Sequence, residues 1–392
     1  MKPVIRSLTL KGFRSFESER VELDNPTFFV GRNAAGKSNL VDAVSFLQEA
    51  MRHPLDEVMQ KRGGIGSIVH RSESQDTRGF GLRVDFGGRG IQKAFYSLEL
   101  RVVNEDSFEV ANEQCSVSSR EGEYWFSRGR KSFDSNVEGL QPLLDPHGSV
   151  LPLVGADKRF RSIYSSLYFI TVFKMQIGNL RQPQKAQRHD RLASNWTNAA
   201  NVLQDLAEKS PAALERISEI LSALTPVPIQ VIPRVQGGMV SLEFQHRYPD
   251  GRTANFDAWE MSDGTLQVLG LLLAIFQRFS GSLMVLEEPE GNIHPGALRI
   301  VTDLLQSLSE RHQLLVTTHS PELLDAKWIT DRFIRIVYWD RDASRVSEVG
   351  KASRETLREG LMGAGELLRS SVLDSPPVHR IETHPRLFEV LN

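Results

Sequence analysis

The sequence predicts an α/β fold with an antiparallel β region and an inserted helical region. A short apolar run enters a glycine-containing loop at 31–38, and a helical pattern leaves that loop. Two further apolar runs, 283–286 and 314–317, have the length of buried strands and are separated by a helical pattern. Strands that alternate with helices are typical of a parallel sheet. Short alternating runs over 79–133, separated by Gly, Asn and Ser, indicate the antiparallel region.

Length and composition limit the possible classes of protein. The 392 residues are enough for two or three domains, and 40% hydrophobic with 24% charged residues argues against wholesale disorder. The formal net charge of −2 means that any nucleic-acid surface must be a local patch. A single cysteine, Cys115, excludes an internal disulfide framework and a Cys-cluster zinc site.

No segment has the character of a membrane anchor or leader. The N-terminus lacks the apolar core of a signal peptide. The longest apolar run, 266–276, is interrupted by Gln267 and Gly270 and is too short to cross a bilayer. We therefore expect a soluble, cytoplasmic protein with no membrane contact.

The periodicity of the chain predicts its further organisation. Residues 4–23 predict two strands around a turn, expected to belong to the sheet that leads into the glycine loop. The middle of the chain is predicted as loop over 140–162, strand over 167–173, basic loop over 174–191, helix over 199–224 and strands over 229–259. We expect an N-terminal core part at 1–60, a β-rich part at 61–170, a basic loop with a helical insertion at 171–228, a C-terminal core part at 229–340 and a tail at 341–392.

The glycine loop carries the first functional motif. Residues 31–38 match the pattern G-x-x-x-x-G-K-[ST] between a strand and a helix. Glycines let the backbone approach phosphate oxygens, and the helix N-terminus adds unpaired N–H groups. Lys37 would neutralise the β- and γ-phosphates, and the Ser38 hydroxyl would hold Mg²⁺. The predicted nucleoside-triphosphate site comprises Gly31, Arg32, Asn33, Ala34, Ala35, Gly36, Lys37, Ser38 and Asn39.

A second group of motifs lies in the C-terminal half. Ser262 is placed to cap an apolar helix over 266–279, whose N-terminus offers N–H groups to an anion. The strand 283–286 ends in Glu-Glu-Pro-Glu, and the carboxyl ends of parallel strands are where α/β folds place their chemistry. One carboxylate can hold the water shell of Mg²⁺ while another orients or deprotonates a water. His319, at the tip of the next strand, can bind a γ-phosphate or a water.

The order of these motifs resembles that of ABC-type ATPases. The matching elements are the phosphate loop, Ser-x-Gly at 262–264, the paired acids, Asn-Ile-His-Pro at 292–295 and Thr-Thr-His-Ser at 317–320. More narrowly, Gly-Phe-Arg-Ser-Phe at 12–16 and the other motifs are similar to the RecF/SMC branch and to OLD-type ATPases. The motif resemblance covers 1–50 and 255–340, and it implies an ABC-type P-loop ATPase head.

The resemblance also implies roles for single residues. In that family two heads enclose two ATP molecules, which implies an ATP-linked homodimer with ATP and Mg²⁺ as cofactors. Ser262 and Gly264 would contact the γ-phosphate bound by the other copy. Glu287 would be the metal-side acid, one methylene longer than the Asp of many relatives. The resemblance further implies that Glu288 polarises the attacking water, that His319 is the switch histidine and that Gln176 senses the metal and the water.

Two other motifs admit a plain structural interpretation. Asp-Arg-Asp at 340–342 resembles the D-x-D of a TOPRIM nuclease, but such a domain needs about a hundred residues and only 343–392 follow. A solvated turn is the simpler interpretation. Arg181, Lys185 and Arg188 in the basic loop can track DNA phosphates, and a solvated loop explains them equally well.

The leading functional hypothesis is an ATPase whose ATP-driven dimerisation serves DNA maintenance or defence against foreign DNA. A separate nuclease or toxin protein would act as the effector. The alternative is a nucleotide-gated scaffold that binds an effector without touching DNA. Membrane transport is disfavoured because the chain shows no spanning segment.

Overall fold

The structure is a computed structural model that describes residues 3–71, 79–88, 90–104, 107–189, 191–277, 281–370, 372–373 and 385–391. Its strands are β1 (Val4–Phe13), β2 (Phe16–Glu22), β3 (Thr27–Val30), β4 (Gly79–Gly88), β5 (Ile91–Asn104), β6 (Ser107–Ser119), β7 (Gly122–Arg128), β8 (Phe133–Ser135), β9 (Thr171–Lys174), β10 (Gln184–Lys185), β11 (Ile229–Gln236), β12 (Met239–Arg247), β13 (Thr253–Asp257), β14 (Leu283–Glu287), β15 (Gln313–Thr318), β16 (Ile334–Asp340) and β17 (Ala343–Glu348). Its helices are α1 (Lys37–Ala50), α2 (Leu55–Gln60), α3 (Leu151–Val154), α4 (Arg161–Tyr168), α5 (Ala199–Lys209), α6 (Pro211–Ser222), α7 (Asp263–Phe276), α8 (Leu298–Arg311), α9 (Pro321–Leu324), α10 (Lys351–Arg358) and α11 (Ala364–Arg369).

An antiparallel sheet contains seven of the described strands, in the order β2-β1-β4-β5-β6-β7-β8. Leu82, Val84 and Phe86 alternate along β4 and are buried in the core. Because successive strand residues point to opposite faces, the intervening residues of β4 lie on the other face of the sheet. The predicted antiparallel region is confirmed.

The phosphate-loop motif lies in a second sheet, ordered β17-β16-β3-β15-β14-β9. All of its described strands except β17 run parallel. Phe29 and Val285 pack into the core that contains α1, whereas Phe28 and Leu286 pack into the core that contains α7 and α8. Helices therefore cover both faces, and the carboxyl ends of β3, β14 and β15 meet at one edge.

The inserted region lies between β9 and α7. Its strands β10, β12, β11 and β13 form a small antiparallel sheet, against which α5 and α6 pack. The predicted single helix over 199–224 is two helices, because Pro211 has no N–H to continue α5 and instead begins α6. The predicted inserted helical region is otherwise confirmed.

Two further predictions of local structure were wrong in part. The hairpin at 4–23 forms as expected, but β1 pairs with β4 in the seven-stranded sheet and does not join the sheet of the phosphate loop. The predicted strand 167–173 is the end of α4 followed by β9, because Ile163 and Leu167 are buried at helical spacing. The region 140–162, predicted as loop with little regular structure, is mostly loop and contains the short helix α3 and the start of α4. The predicted end of the helix at Phe279 lies outside the described residues.

The Asp-Arg-Asp motif forms the tight turn of the β16–β17 hairpin, in which Asp340 pairs with Ala343. Across the described part of the chain, no cluster of three or more His, Cys, Asp or Glu side chains is arranged to hold a metal. These findings support the interpretation as a turn. Of the helices described above, none has both the length and the apolar character needed to span a membrane.

Candidate functional site

The phosphate loop connects β3 directly to α1. Gly36 has φ = 113° and Ala34 has φ = 61°, so the loop uses left-handed conformations just before the helix. A Cβ atom at Gly31 would lie 2.1 Å from the Val337 carbonyl oxygen, so only glycine fits there. No side chain caps α1, which leaves the first N–H groups of this helix without a side-chain acceptor. Such a terminus can accept an anionic ligand.

Lys37 lies within this loop. Its ammonium group donates hydrogen bonds to the carbonyl oxygens of Gly31 (2.7 Å) and Arg32 (3.1 Å). Burial lowers the pKa of Lys37, and the carboxylates of Glu288, Glu290 and Glu287 counteract this effect. The loop carbonyls therefore hold a partly desolvated cation beside the acids that follow β14.

A cavity of about 370 Å³ connects the phosphate loop to the strand tips. Its lining residues are Asn33, Ala34, Gly36, Lys37, Ser38, Asn39, Glu288 and His319. The parallel pairing of β14 with β15 and of β15 with β3 explains this arrangement, because these strands end at one edge of the sheet. The structure thus brings six of the predicted loop residues together with Glu288 and His319 from the C-terminal half of the sequence.

Glu288 and His319 form a pair at this edge. Nδ1 of His319 lies 3.1 Å from Oε1 of Glu288, and both side chains remain about half exposed. Glu288 has φ = 47°, and its N–H donates to the Thr317 carbonyl oxygen at 3.0 Å. A non-glycine residue in this conformation needs support from its surroundings. The backbone therefore directs the Glu288 carboxylate toward the cavity instead of along the strand.

Glu290 was not assigned a role from the sequence. Its carboxylate is buried and accepts hydrogen bonds from the Thr318 hydroxyl and from the His319 N–H (3.2 Å). Burial raises the pKa of Glu290, and the Thr318 hydrogen bond partly offsets that rise. Glu290 therefore joins the loop after β14 to the loop that carries His319. Its place in the acidic run 287–290 was the available sequence signal.

Some predicted residues lie near the cavity without lining it. Glu287 is the last residue of β14, and its register partners are Thr317 and Lys174. Gln176 follows β9 at the same edge of the sheet, is exposed and accepts a hydrogen bond from the Asn179 amide at 3.1 Å. Gly31, Arg32 and Ala35 belong to the loop but are not among the lining residues.

The Ser-x-Gly motif lies at the N-terminus of α7, as predicted. Ser262 caps the helix: its hydroxyl accepts from the Thr265 N–H at 3.2 Å. A Cβ atom at Gly264 would lie 2.9 Å from the Asn292 carbonyl oxygen, which is too close for a larger residue without movement. Neither Ser262 nor Gly264 lines the cavity.

Arg181 connects the basic loop to this motif. Its guanidinium lies 2.6 Å from the Asp263 carboxylate and donates to the Met261 carbonyl oxygen at 3.0 Å. Lys185 lies in β10, and it and Arg188 are exposed. The three predicted DNA-contacting residues therefore have different environments, and no sequence pattern indicated the ion pair of Arg181.

The turn of the first hairpin supports the phosphate loop from the other sheet. The Ser15 hydroxyl accepts from the Asn39 amide and the Ser344 hydroxyl, each at 2.7 Å. Arg14 pairs with Asp42 of α1 at 2.8 Å. The Gly-Phe-Arg-Ser-Phe motif therefore contacts the start and the first turns of α1.

Comparison with solved structures supports the fold. The protein is similar to an SMC head bound to the C-winged helix domain of ScpA (TM-score 0.54, 17% identity, 92% of this chain and 100% of that chain). It is also similar to the Smc head with an extended coiled coil bound to the C-terminal domain of ScpA from Pyrococcus furiosus (TM-score 0.55, 15% identity, 92% and 99%). A Smc head with a coiled coil and joint from Pyrococcus yayanosii gives TM-score 0.52 at 12% identity, with 92% and 100% coverage. The fold is that of an ABC-type P-loop ATPase head.

One curated relative shares a limited stretch of sequence. The DNA replication and repair protein RecF of Nocardioides sp. (strain ATCC BAA-499 / JS614) is 33% identical over 84 residues. This stretch is 21% of our chain, and the chain matches only 20% of the length of that relative. It supports the relationship to the RecF/SMC branch.

A protein-family profile covers most of the chain. The profile described as "AAA domain, putative AbiEii toxin, Type IV TA system" matches residues 27–325. This range includes the phosphate loop, the Ser-x-Gly motif and both strand tips of the cavity. The chain therefore belongs to this AAA-domain family and is an ABC/AAA-type ATPase related to RecF and to SMC heads.

Proposed function

We propose that this protein hydrolyses ATP with Mg²⁺ and that a second copy of the chain completes its catalytic site. The observation that carries the proposal is the cavity in which the phosphate loop, Lys37, Ser38, Glu288 and His319 meet. These residues come from segments about 250 positions apart in the chain. Their convergence on one edge of a parallel sheet is the arrangement expected of a site for chemistry.

The chain's own residues fit a nucleoside triphosphate. The N-terminus of α1 lacks a side-chain cap, the loop before it uses left-handed backbone conformations, and Lys37 supplies a buried positive charge. Ser38 and Glu287, with Gln176 as a third ligand, would hold Mg²⁺, a hard cation that prefers oxygen ligands. When bound, Mg²⁺ neutralises negative charge on the phosphates.

Glu288 is the proposed general base. Its carboxylate lines the cavity opposite the loop and is exposed enough to contact a water. The contact with Nδ1 of His319 orients the carboxylate, and Glu290 in turn holds the His319 backbone. His319 is the second catalytic residue because it can donate a hydrogen bond at the same place.

The Ser-x-Gly motif is the reason to propose a second copy. Ser262 caps α7 and Gly264 lies in its first turn, but neither residue lines the cavity of its own chain. If both residues contact ATP, a partner chain must bring them there. ATP would then favour a homodimer, and hydrolysis would reopen it.

Sedimentation with and without ATP tests this assembly. Glu288→Gln should bind ATP without turning it over and shift to a dimer, and Glu288→Gln with Ser262→Arg should stay monomeric. Glu288→Gln with Ser132→Arg serves as the matched control, because Ser132 is an exposed turn residue away from α7. A species that ATP leaves unchanged, or one that Ser262→Arg does not affect, would contradict the proposal.

We further propose that the ATP-bound dimer acts on DNA, in maintenance or in defence, together with a nuclease or toxin protein. The support comes from the relative, whose name is a DNA replication and repair protein, and from a family description that names a toxin–antitoxin system. Lys185 and Arg188 supply exposed positive charge in the basic loop. Each phosphate that they neutralise would release counterions and make binding depend on salt.

A fluorescence anisotropy titration at two salt concentrations tests DNA binding, with the ATP-bound Glu288→Gln dimer as the host. Lys185→Glu with Arg188→Glu should weaken binding and flatten the salt slope, and the ATPase of the otherwise unchanged chain should persist. The matched control is Arg216→Glu with Lys351→Glu, two exposed positions elsewhere. No DNA binding by the dimer at low salt would contradict a DNA-acting role.

One observation favours a second candidate function, an effector scaffold that does not contact DNA. Arg181, the third basic residue of the loop, is held by Asp263 and so contributes less free positive charge. Two of the similar SMC heads are bound to domains of the protein ScpA. A dimer that fails to bind DNA but captures a nuclease or toxin protein only with ATP would favour the scaffold.

A further inference from the structure

The C-terminal segment 385–391 lies against the seven-stranded sheet. Gly81, Arg83 and Asp85 alternate with the core residues of β4 and so lie on the outer face of this sheet. Leu387 covers this face and is 5% exposed, as buried as many core residues. The residues that contact this segment are different from those that line the nucleotide cavity.

The Leu387 side chain fits over β4 because residue 81 is a glycine and has no side chain. A Cβ atom built on Gly81 would lie 2.2 Å from Cδ1 of Leu387. The leucine therefore sits directly over the backbone of β4. Arg83 also donates a hydrogen bond to the Leu387 carbonyl oxygen at 3.1 Å. The site accordingly recognises both a side chain and the backbone at this position.

Two cations bind the Glu389 carboxylate. Arg83 contacts Oε1 at 2.6 Å, and Lys93 contacts Oε2 at 2.7 Å. Burial tends to raise the pKa of Glu389, but the hydrogen bonds from Lys93 and Arg83 lower it overall. Arg83 is almost fully buried, packs over the ring of Phe95 and also pairs with Asp85. Its guanidinium is thus held in place from several sides.

Gln114 pairs with the backbone of the segment. Its amide donates to the Glu389 carbonyl oxygen (3.3 Å), and its side-chain oxygen accepts from the Glu389 N–H (3.1 Å). This reciprocal pair of bonds is the kind that a neighbouring strand would make. It sets the register of the bound segment, so that Leu387 meets Gly81 while Glu389 meets the two cations.

We infer that this face of the sheet is a binding site for a short linear peptide with leucine followed two residues later by glutamate, and that the chain's own segment 385–391, which we call the tail, occupies it. The site consists of Gly81, Arg83, Lys93 and Gln114, and we call it the tail site. Because the tail is tethered, its effective concentration at the site is high. A partner protein with the same Leu-x-Glu spacing must displace the tail to bind.

Peptide binding to the full chain tests this inference. The variant Leu387→Asp with Glu389→Lys releases its own tail, and a fluorescent peptide of residues 385–391 should bind it saturably. The wild type should bind the same peptide at least about 10-fold more weakly, because its tethered tail competes. The matched control, Leu361→Asp with Glu359→Lys, changes two exposed residues in the same way and should behave as the wild type.

Peptide variants and a charge exchange make the test specific. A peptide with the Leu387→Asp change should not bind, and Lys93→Glu in the tail-released variant should weaken binding of the normal peptide. A peptide that carries Glu389→Lys should recover part of that loss. Absence of saturable binding to a tail-released variant with an unchanged circular dichroism spectrum would overturn the inference, as would equal binding of the Leu387→Asp peptide.

A zero-length cross-link identifies the source of the tail. Carbodiimide should join Lys93 to Glu389, whose charged atoms are 2.7 Å apart. In a mixture of chains with normal and heavy nitrogen, mass spectrometry should find this linked pair only within chains of one isotope. Linked peptides of mixed isotope would show that a second copy supplies the tail, and would overturn the assignment of the occupant to the same chain.

Discussion

The N-termini of α1 and α7 carry the two glycine-containing motifs, and the two helices differ in how their N-termini are capped. At α1 no side chain caps the helix, Gly36 precedes it at φ = 113°, and Lys37 is bound by the loop's own carbonyl groups. At α7 the Ser262 hydroxyl is bonded to Thr265, and Asp263 is paired with Arg181. Both are helix N-termini with unpaired N–H groups, and of the two only α1 contributes residues to the nucleotide cavity described above.

This difference indicates distinct roles for two similar elements. A terminus without a side-chain cap is ready for an anion, because the ligand takes the place of the missing acceptor. A capped terminus with a neutralised acid is stable without a ligand. We therefore expect that α1 binds phosphate in the isolated chain, whereas α7 contributes only when a second copy approaches.

The largest effect is expected at α1. Lys37→Ala should weaken ATP binding about 100-fold or more, because a charge-assisted contact to phosphate is lost. Equilibrium binding of a fluorescent ATP analogue measures this loss. Lys61→Ala, at an exposed position after α2, is the control and should bind normally. Unchanged binding by Lys37→Ala would place the phosphate site elsewhere.

The next prediction separates binding from turnover. Glu288→Gln should bind ATP as the wild type does but hydrolyse it about 100-fold more slowly, the usual scale of a general base. Single-turnover hydrolysis together with nucleotide binding measures both effects. Glu359→Gln, an exposed acid on the C-terminal side, should retain full activity. Full activity of Glu288→Gln would move the base to Glu290 or His319.

Arg181 provides a sharper test of α7. Arg181→Ala should leave ATP affinity unchanged and weaken the ATP-dependent dimer about 5-fold, because a partly exposed ion pair contributes about 1 kcal/mol at most. Adding Asp263→Ala should weaken the ATP-dependent dimer little further, since the Arg181–Asp263 pair is already broken. Arg216→Ala removes a comparable surface pair on α6 and is the control. An equal loss in the control would show that Arg181 has no special role.

The smallest effect is expected at the contact between β2 and β17. There Glu19 of β2 accepts a hydrogen bond from the Val346 N–H of β17 at 3.3 Å. Burial raises the pKa of Glu19 from 4.5 to about 7, despite the lowering effects of that bond and of Arg345. Between these two values only the unfolded chain loses the proton, so the folded state loses stability as pH rises.

Glu19→Gln removes this titration. The variant should be more stable than the wild type by about 1 kcal/mol at pH 8, a fraction of the full shift because the bonds to Arg345 are also lost. The gain should be absent at pH 4, where the carboxyl is protonated in both states. Urea unfolding at the two pH values measures it. An equal gain in stability at pH 4 and pH 8 would show that the titration of Glu19 is not its cause.

Much of the site follows from local sequence. The phosphate loop, the Ser262 cap, the acids after β14 and His319 after β15 all lie where the motifs predicted them. Each depends on a few neighbouring residues and on the period of the flanking strand or helix. The errors were at places where local patterns are ambiguous, such as the short apolar run at 167–173.

The remaining features required distant segments to meet. Ser15 and Ser344 are 329 positions apart, and their contact places the first hairpin behind the phosphate loop. The pairing of Arg181 with Asp263 and of Arg83 with Glu389 likewise joins segments that no periodicity connects. Backbone conformation is set largely by nearby residues, so the motifs and most of the elements can be predicted from local sequence. Contacts between elements depend on how whole layers pack, so the ion pairs that hold Arg181 and Arg83 become visible only in the folded chain.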